Sequence, residues 1–445
     1  MTPPSGATAS PSGREHWKNT LLAGLANYID AGSIVAGASA LTLWTEAYQL
    51  SASFVGTIGA FSANAISAGV GALIGGRLCD VFGRKRIYQF DMLFYAFGMS
   101  WLVFATQPWM IVTGFILVGL AVGADIPASW SLIAENAPEG ERGKHSGLAQ
   151  LLWWLGPLVV LLMSLLLAPL QLLGARIVFA HLMILSLLLT LLRSRMQESQ
   201  RWEAARRAEK RGLDAHTVQS SSLRGLLAPQ LMRSMAFLIG MYGIWNLWAG
   251  TMGFFFQYMM RTVGGQTQTL AVTLDLATYT IGIVSIVFVF MRYVDRVNQR
   301  LLFGLSALIQ VIAMSLLAIF PLRLPIIVLF VLLSSIGSGF GAQAFFQLWS
   351  AEQFPTLLRS TAQGIMFAVV RIGLGVWSFF VPLLASSEFT TLAWALTGFL
   401  IVSGLIGVIW GPRNEGKSLE LIEAERNAKA LQGSVQLASA PEQDR

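Results

Sequence analysis

The stretch that decides the fold is residues 76–86, GRLCDVFGRKR, which lies between two long apolar runs. It follows the pattern G-x-L-x-D-x-x-G-R-K-R, with an acid at Asp80 and a basic cluster that begins at Arg84. Its glycines allow helix ends and a tight turn to approach closely. Basic residues just beyond an apolar span are held on the cytoplasmic side of a membrane. The stretch therefore predicts a cytoplasmic loop between two membrane-spanning helices.

The composition of the whole chain is that of a membrane protein. Of its 445 residues, 55% are hydrophobic and 12% are charged, about half the charged share of a soluble domain. A helix needs about 20 residues to cross ~30 Å of hydrocarbon. Twelve stretches are long enough, at 20–44, 52–76, 87–106, 109–135, 143–169, 175–193, 234–261, 268–292, 300–320, 324–351, 360–385 and 390–411.

The positions of the basic residues predict the orientation of the chain. Of 30 Lys and Arg, 26 lie in the tails and in the loops that follow even-numbered spans. Three lie in the opposite loops and one, Arg371, lies within a span. This asymmetry predicts that both termini are cytoplasmic. It also explains the net charge of +7 without a nucleic-acid partner.

A polar segment divides the chain into two halves of six spans, and the N-terminus lacks the pattern of a cleavable signal peptide. The motif E-x-x-P-x-x-x-R occurs at 135–142 and again at 352–359, 217 positions later. We therefore predict two related six-helix bundles that hold the substrate at their interface. The predicted parts are an N-terminal tail at 1–19, a bundle at 20–193, a central cytoplasmic loop at 194–233, a second bundle at 234–411 and a C-terminal tail at 412–445.

The signature loop at 76–86 resembles that of the major facilitator superfamily. Further segments are similar to the signatures of its sugar porters: AENAPEGERGKHSG (134–147), QESQRW (197–202), AEQFPTLLRSTAQG (351–364) and GPRNEGKSLELIE (411–423). Others are more similar to its metabolite:proton symporters: YIDAGSIVAG (28–37), GADIPASWSLIAE (123–135) and RIGLGVWSFFVP (371–382). The resemblance implies an all-α fold of twelve transmembrane helices in two pseudo-symmetric bundles and proton-coupled alternating access.

Two acidic residues within the spans are candidates for proton coupling. A charge at the centre of a membrane helix costs about 2.5–3.5 kcal/mol on insertion scales, which indicates a function for it. Asp30 in span one matches the acidic position of proton-coupled sugar porters and metabolite symporters. Asp125 in span four resembles the G-x-D-x-P element of metabolite symporters, whereas Phe115 stands where sugar porters carry an arginine. The alternative for both is a buried structural carboxyl.

Arg371 is the other costly charge, because it lies too deep in span eleven for its head group to reach water easily. It can neutralise Asp30 or Asp125, or it can hold an anionic substrate through its planar fork of donors. A purely structural ion pair is the third alternative. Arg371 is also the reason for not assuming a neutral sugar.

Several polar and aromatic residues within the spans are candidate substrate contacts. Gln150 resembles a sugar-binding glutamine of the sugar porters, and its amide can donate to and accept from a hydroxyl. Asn246 and Gln347 stand at other positions where the family contacts sugars. Trp154 and Trp245 can line an aromatic cavity, although packing alone also explains such residues.

The remaining charges of the signatures are predicted to form a cytoplasmic gate. They lie at helix ends, where ion pairs would close the inner side of the protein in the outward-open state. These gating residues are Asp80, Arg84, Glu135, Arg142, Glu352 and Arg359.

We therefore expect a proton-coupled symporter of a bacterial inner membrane that imports a small polar metabolite, first of all a sugar or polyol. The alternatives are a carrier of a small organic acid, such as a sugar acid or a nicotinate-like carboxylate, a proton-driven exporter, and a receptor that senses nutrients without transporting them. The chain lacks a phosphate-binding G-x-x-x-x-G-K-[ST] loop and a cluster of metal ligands in its sequence. We expect no enzyme activity, no metal and no cofactor beyond the proton gradient, and a monomer as the working unit.

Overall fold

The computed structural model describes residues 13–61, 65–194, 196, 198–210, 223–378, 380–381, 384, 388–414, 417, 419, 421–422 and 424–425. All regular secondary structure within these ranges is helical. The first half contains six long helices, which we name α1 to α6: Gly13–Tyr48, Ile66–Phe82, Arg84–Val103, Pro108–Asn136, Arg142–Leu166 and Leu172–Arg193.

The second half contains six more, three of which are interrupted. Helix α7 joins Pro229–Leu238 to Ile244–Thr262 through a π-helical turn, Ile239–Gly243. Helix α8 runs over Gln268–Ser285 and continues through a second π-helical turn, Ile286–Phe290, to Met291–Tyr293. Helix α10 has two parts, Leu324–Gly339 and Ala342–Glu352. The others are α9, α11 and α12, at Gln299–Ile319, Arg359–Ser378 and Phe389–Trp410.

Twelve long helices within the described ranges confirm the predicted number of spans. Nine of them are both long enough and apolar enough to cross a membrane. The other three are α2, which has 17 residues, and the less apolar α3 and α7. The second span was predicted too early, at 52–76, because residues Ala52–Ala60 form a separate short helix and the signature residues up to Phe82 are still helical. A further short helix, Gln200–Lys210, lies in the central loop.

Helices α1 to α6 pack mainly against one another, as do α7 to α12. The two most extensive contacts between these groups are those of α2 with α11 and of α5 with α8, and α4 and α5 make smaller contacts with α10 and α11. The two pairs are equivalent if the halves are exchanged, since α2 corresponds to α8 and α11 to α5. This arrangement is that of two related bundles. The residue bounds given above for the two bundles stay a prediction.

Glycine allows α2 and α11 to approach each other at backbone distance. A Cβ atom added at Gly76 would lie 2.3 Å from the carbonyl oxygen of Ser360, and one added at Gly364 would lie 2.2 Å from that of Ala72. No side chain fits at such distances. The first glycine of the signature loop is thus required where the two halves of the molecule meet.

Candidate functional site

The end of the bundle that carries loop 76–86 is called the signature side here, and a network of buried charges joins the two halves there. The Arg84 guanidinium lies 3.1 Å from Asp80 and 3.0 Å from Glu135 in its own half. It also donates to the carbonyl oxygen of Thr356 in the other half, at 2.6 Å. Arg359 of α11 donates to Glu135 at 2.7 Å. These charged side chains are at most 5% exposed, so the ion pairs are shielded from water.

Asp80 also binds the N-terminus of α11. Its carboxylate accepts hydrogen bonds from the backbone N–H groups of Ser360 and Thr361, at 3.3 and 2.7 Å. An anion is stabilised at a helix N-terminus by the unpaired N–H groups and the helix dipole. The acid of the signature loop therefore holds the second half of the molecule against the first.

The same contact recurs at the equivalent position of the other half. Asp295 accepts hydrogen bonds from the backbone N–H groups of Gly143 and Lys144 at the start of α5, at 2.8 and 3.0 Å. Burial raises the pKa of Asp295, and its two backbone donors oppose that rise. Beside it, Arg142 donates to Glu352 through two nitrogens, at 2.8 and 3.2 Å. All six predicted gating residues thus form contacts that cross between the halves or support such contacts.

Two residues of the central loop complete the signature side and were not among the predicted site residues. Glu198 accepts hydrogen bonds from the backbone N–H groups of Arg84 and Lys85, at 3.1 and 3.0 Å. The indole of Trp202 donates to the carbonyl oxygen of Asp80 at 3.1 Å. Both residues lie in the segment QESQRW. The resemblance of this segment to a family signature could have identified them as site residues.

Asp30 lies in the middle of α1 and is 2% exposed. Both of its carboxylate oxygens are buried without a hydrogen-bond partner. The charged groups that act on it from other helices are Asp125, Arg193 and Arg371. A carboxylate in such surroundings is costly when ionised and unpaired, so the side chain is suited to bind and release a proton.

Asp125 has a different partner from the one expected. The sequence suggested Arg371, but the guanidinium that reaches Asp125 belongs to Arg193, at 3.0 Å. The same nitrogen of Arg193 lies 3.6 Å from Asp91 of α3. Arg193 is fully buried, although it is the last residue of α6. The role of Asp125 in proton transfer stays a prediction.

Arg371 lies across the interface from Asp30, on α11. Its guanidinium carbon is 4.4 Å from the ring centroid of Phe367, and one nitrogen donates to the amide oxygen of Asn246 at 3.5 Å. Its Nε is buried without a partner. Arg371 and Asn246 line a cavity of about 70 Å³, together with Ala31 and Ile34 of α1. This cavity therefore lies directly beside the turn of α1 that carries Asp30.

A second cavity of about 120 Å³ shares several lining residues with the first. The amide of Gln150 and the indoles of Trp154 and Trp245 line it, as predicted for substrate contacts. Gln347 lines neither cavity, whereas Gln343, one helical turn earlier, lines both. Asp275, Tyr279, Trp153 and Trp248 also line this cavity.

Sequence reasoning missed Asp275 and Gln343 as cavity residues. Asp275 is an acidic residue within span eight. The free-energy cost of placing a carboxylate in a membrane could have identified it as a functional residue. The place of Gln343 depends on the break between the two parts of α10, which no local pattern indicated. Amides, indoles and one charge of each sign are groups that can surround a small polar solute.

Comparison with known proteins agrees with this geometry. A model of the Major Facilitator Superfamily matches residues 20–377. The chain is 44% identical over 410 residues to the minor myo-inositol transporter IolF of Bacillus subtilis (strain 168), covering 92% of this chain and 93% of that protein. The structure of the proton:xylose symporter XylE bound to 6-bromo-6-deoxy-D-glucose superposes with a TM-score of 0.78 at 20% identity, covering 93% of this chain and 100% of that chain.

The inward-open conformation of XylE from E. coli superposes less well, with a TM-score of 0.62 at 20% identity over 92% of this chain and 99% of that one. These structures show the fold, and the family match and the similarity to IolF show the class of protein. The predicted family and the expected lack of enzyme activity are thereby confirmed. The chain belongs to the Major Facilitator Superfamily and is a multi-pass membrane transporter.

Proposed function

We propose that the protein is a proton-coupled symporter that imports a small neutral polyhydroxylated solute, a sugar or a cyclic polyol. It works in a bacterial inner membrane, as a monomer in the lipid bilayer, with the proton gradient as its energy source and no cofactor. The observation that carries the proposal is the unpartnered, buried carboxyl of Asp30 beside a cavity lined by amides and indoles. The similarity to a myo-inositol transporter supports the class of solute.

The cavity offers the contacts that a polyol needs. An amide side chain both donates and accepts hydrogen bonds, as a hydroxyl group does. Three amides, those of Gln150, Asn246 and Gln343, line the two connected cavities. Indole rings provide flat apolar surfaces for the C–H faces of a ring-shaped solute. Arg371 and Asp275 place charges of both signs around the cavity, which disfavours a strongly anionic solute.

Asp30 is the proton carrier in this mechanism. With the signature side closed, solute and proton enter from the other side, and the proton neutralises the Asp30 carboxylate. The loss of that charge removes the attraction between Asp30 and Arg371 across the interface. The halves can then rock about the bound solute, the gate contacts of the signature side separate, and solute and proton leave together.

Uptake into liposomes tests the proposal. Purified protein is reconstituted into liposomes. Radiolabelled myo-inositol, glucose and xylose are each added outside, with and without a proton gradient that is acidic outside. Accumulation of one of them above its external concentration only when the gradient is present is the expected result. Gradient-independent equilibration would contradict proton coupling, and movement against the direction of the proton flow would indicate an exporter.

An organic acid is the second candidate, because Arg371 lines the cavity and can pair with a carboxylate. Thermal stabilisation separates the two candidates, since a ligand at about 100 times its dissociation constant stabilises the folded state by ~2.7 kcal/mol. We expect stabilisation by a neutral polyol or sugar. Stabilisation by carboxylates alone, lost in Arg371→Gln, would assign the protein to the carriers of organic acids.

A further inference from the structure

Arg193 is a fixed cation in the interior of the first bundle. Its guanidinium donates to the carbonyl oxygens of Leu22, Ala23 and Tyr88 at 3.3 to 3.5 Å. Its central carbon lies 3.5 Å from the ring centroid of Tyr88. The side chain is fully buried. Backbone from α1 and α3 thus holds the guanidinium in place, and an arginine stays protonated in proteins.

Two carboxylates compete for one nitrogen of this guanidinium. The Nη1 atom lies 3.0 Å from Asp125 and 3.6 Å from Asp91. Of the two carboxylates, only that of Asp125 accepts a hydrogen bond from it. Both oxygens of Asp91 and the second oxygen of Asp125 are buried without a donor. Both carboxyl groups thus lie within 4 Å of the same guanidinium nitrogen.

The other groups around Asp91 do not balance the second negative charge. The thiol of Cys79 faces it from α2 and the phenol of Tyr88 from its own helix, while Asp125 and Arg193 face it from α4 and α6. Arg193 is therefore the one cation among these described groups. An unpaired ion in a protein interior costs several kcal/mol. Two like charges at close range are relieved when one of them binds a proton.

We propose that Asp91 and Asp125 share one resident proton opposite Arg193. The proton is bound to one carboxyl group and is donated in a hydrogen bond to the other, which gives a partner to carboxyl oxygens that are buried without one. The cluster of Asp91, Asp125 and Arg193 is then neutral, with one anion and one cation. Neither carboxyl lines the two central cavities, so this proton is distinct from the transported proton on Asp30. The inference concerns the charge of the bundle and holds whatever solute is carried.

Infrared spectroscopy of the purified full-length protein tests the shared proton directly. The carbonyl stretch of protonated carboxyl groups is recorded at neutral pH in Asp30→Asn, where the transported proton has no carrier, and in the same variant with Asp91→Asn or Asp125→Asn added. Each added substitution is expected to lower the intensity of this band by the same amount, because the remaining carboxylate pairs with Arg193 as an anion. Unchanged intensity in either double variant would overturn the proposal.

Stability gives a second, independent test. With one shared proton, either carboxylate alone balances Arg193, so Asp91→Asn and Asp125→Asn are each expected to purify as folded, monodisperse protein. The combined Asp91→Asn/Asp125→Asn variant leaves Arg193 without a counter-charge and is expected to lose the folded state. A combined variant as stable as the single variants, or single variants that already fail to fold, would show that the two carboxyl groups are not interchangeable partners. Glu46→Gln, at an exposed carboxyl of α1, is the matched control.

Discussion

Among single residues, Asp30 bears most directly on function, because nothing among its described neighbours pairs with its carboxylate. We expect Asp30→Asn to abolish accumulation driven by a pH gradient and to retain exchange of labelled for unlabelled solute. The amide is close in shape to the carboxyl but binds no proton in this pH range. The measurement is uptake and counterflow in liposomes, with Glu46→Gln as the control carboxyl on the same helix. Gradient-driven accumulation in Asp30→Asn would remove Asp30 from the coupling mechanism.

A substitution of Gln150 tests the proposed contacts between the protein and the solute. A hydrogen bond contributes about 0.5–1.5 kcal/mol, and 1.4 kcal/mol corresponds to a factor of ten in affinity. We expect Gln150→Ala to raise the KM for uptake by up to about tenfold, with a smaller change in the maximal rate. Gln171→Ala is the control, since this glutamine lies exposed in the turn before α6. An unchanged KM would exclude Gln150 from the solute site.

The negative charge of Asp275 leads to a prediction about which solutes the cavity accepts. Asp275 lines the larger cavity, and its carboxylate repels an anionic solute. We expect Asp275→Asn to weaken uptake of the neutral solute by the loss of a strong hydrogen-bond acceptor and to improve binding of the corresponding sugar acid. Competition of sugar acids with labelled neutral solute measures the change. Sugar acids that compete no better in the variant than in the wild type would contradict this role.

Among the helices, α2 and α11 make the closest backbone approach between the two halves on the signature side, and we expect this approach to be required for closure there. A Cβ atom at Gly76 would meet the backbone of Ser360 at 2.3 Å, and a backbone atom cannot move aside as a flexible side chain can. We expect Gly76→Ala to keep the halves apart on this side. Gly373→Ala is the control on α11, because a Cβ atom there has no neighbour within 4 Å.

Cys79 reports the state of this contact. It is the single cysteine of the chain and is fully buried next to Asp80. We expect a membrane-permeant maleimide to label Cys79 slowly in the wild type and in Gly373→Ala, and faster in Gly76→Ala. Equal labelling rates in all three proteins would show that the glycine does not control closure.

For the whole molecule, we expect the buried charges of the signature side to stabilise the conformation in which the two halves meet there. Glu135 binds Arg84 of its own half and Arg359 of the other, so its neutralisation removes one carboxylate partner from each of two buried cations. Breaking a buried ion pair is strongly destabilising for the state that contains it. We expect Glu135→Gln to shift the protein towards the conformation that is open on the signature side, with faster labelling of Cys79 and slower uptake. Glu388→Gln, an exposed carboxyl near α12, is the control, and an unchanged labelling rate would contradict the gating role.

The twelve spans, the duplicated halves and the repeated charged motifs were predictable from the sequence, because each depends on local information. Hydropathy over about 20 residues identifies a span, and a motif repeated at one offset identifies a duplication. The gating residues were predicted together for the same reason, since each lies in a motif at the end of a predicted helix.

Only the tertiary structure decided which charges pair. Asp125 is 68 residues from Arg193 in the chain, and no periodicity shows whether an arginine at the end of a span turns towards water or into the bundle. The cavity position of Gln343 and the contacts of Glu198 likewise depend on helix breaks and loop placement. Pairing of buried charges is a long-range property, because it depends on how several helices pack around one point, and this packing is not encoded in any single segment.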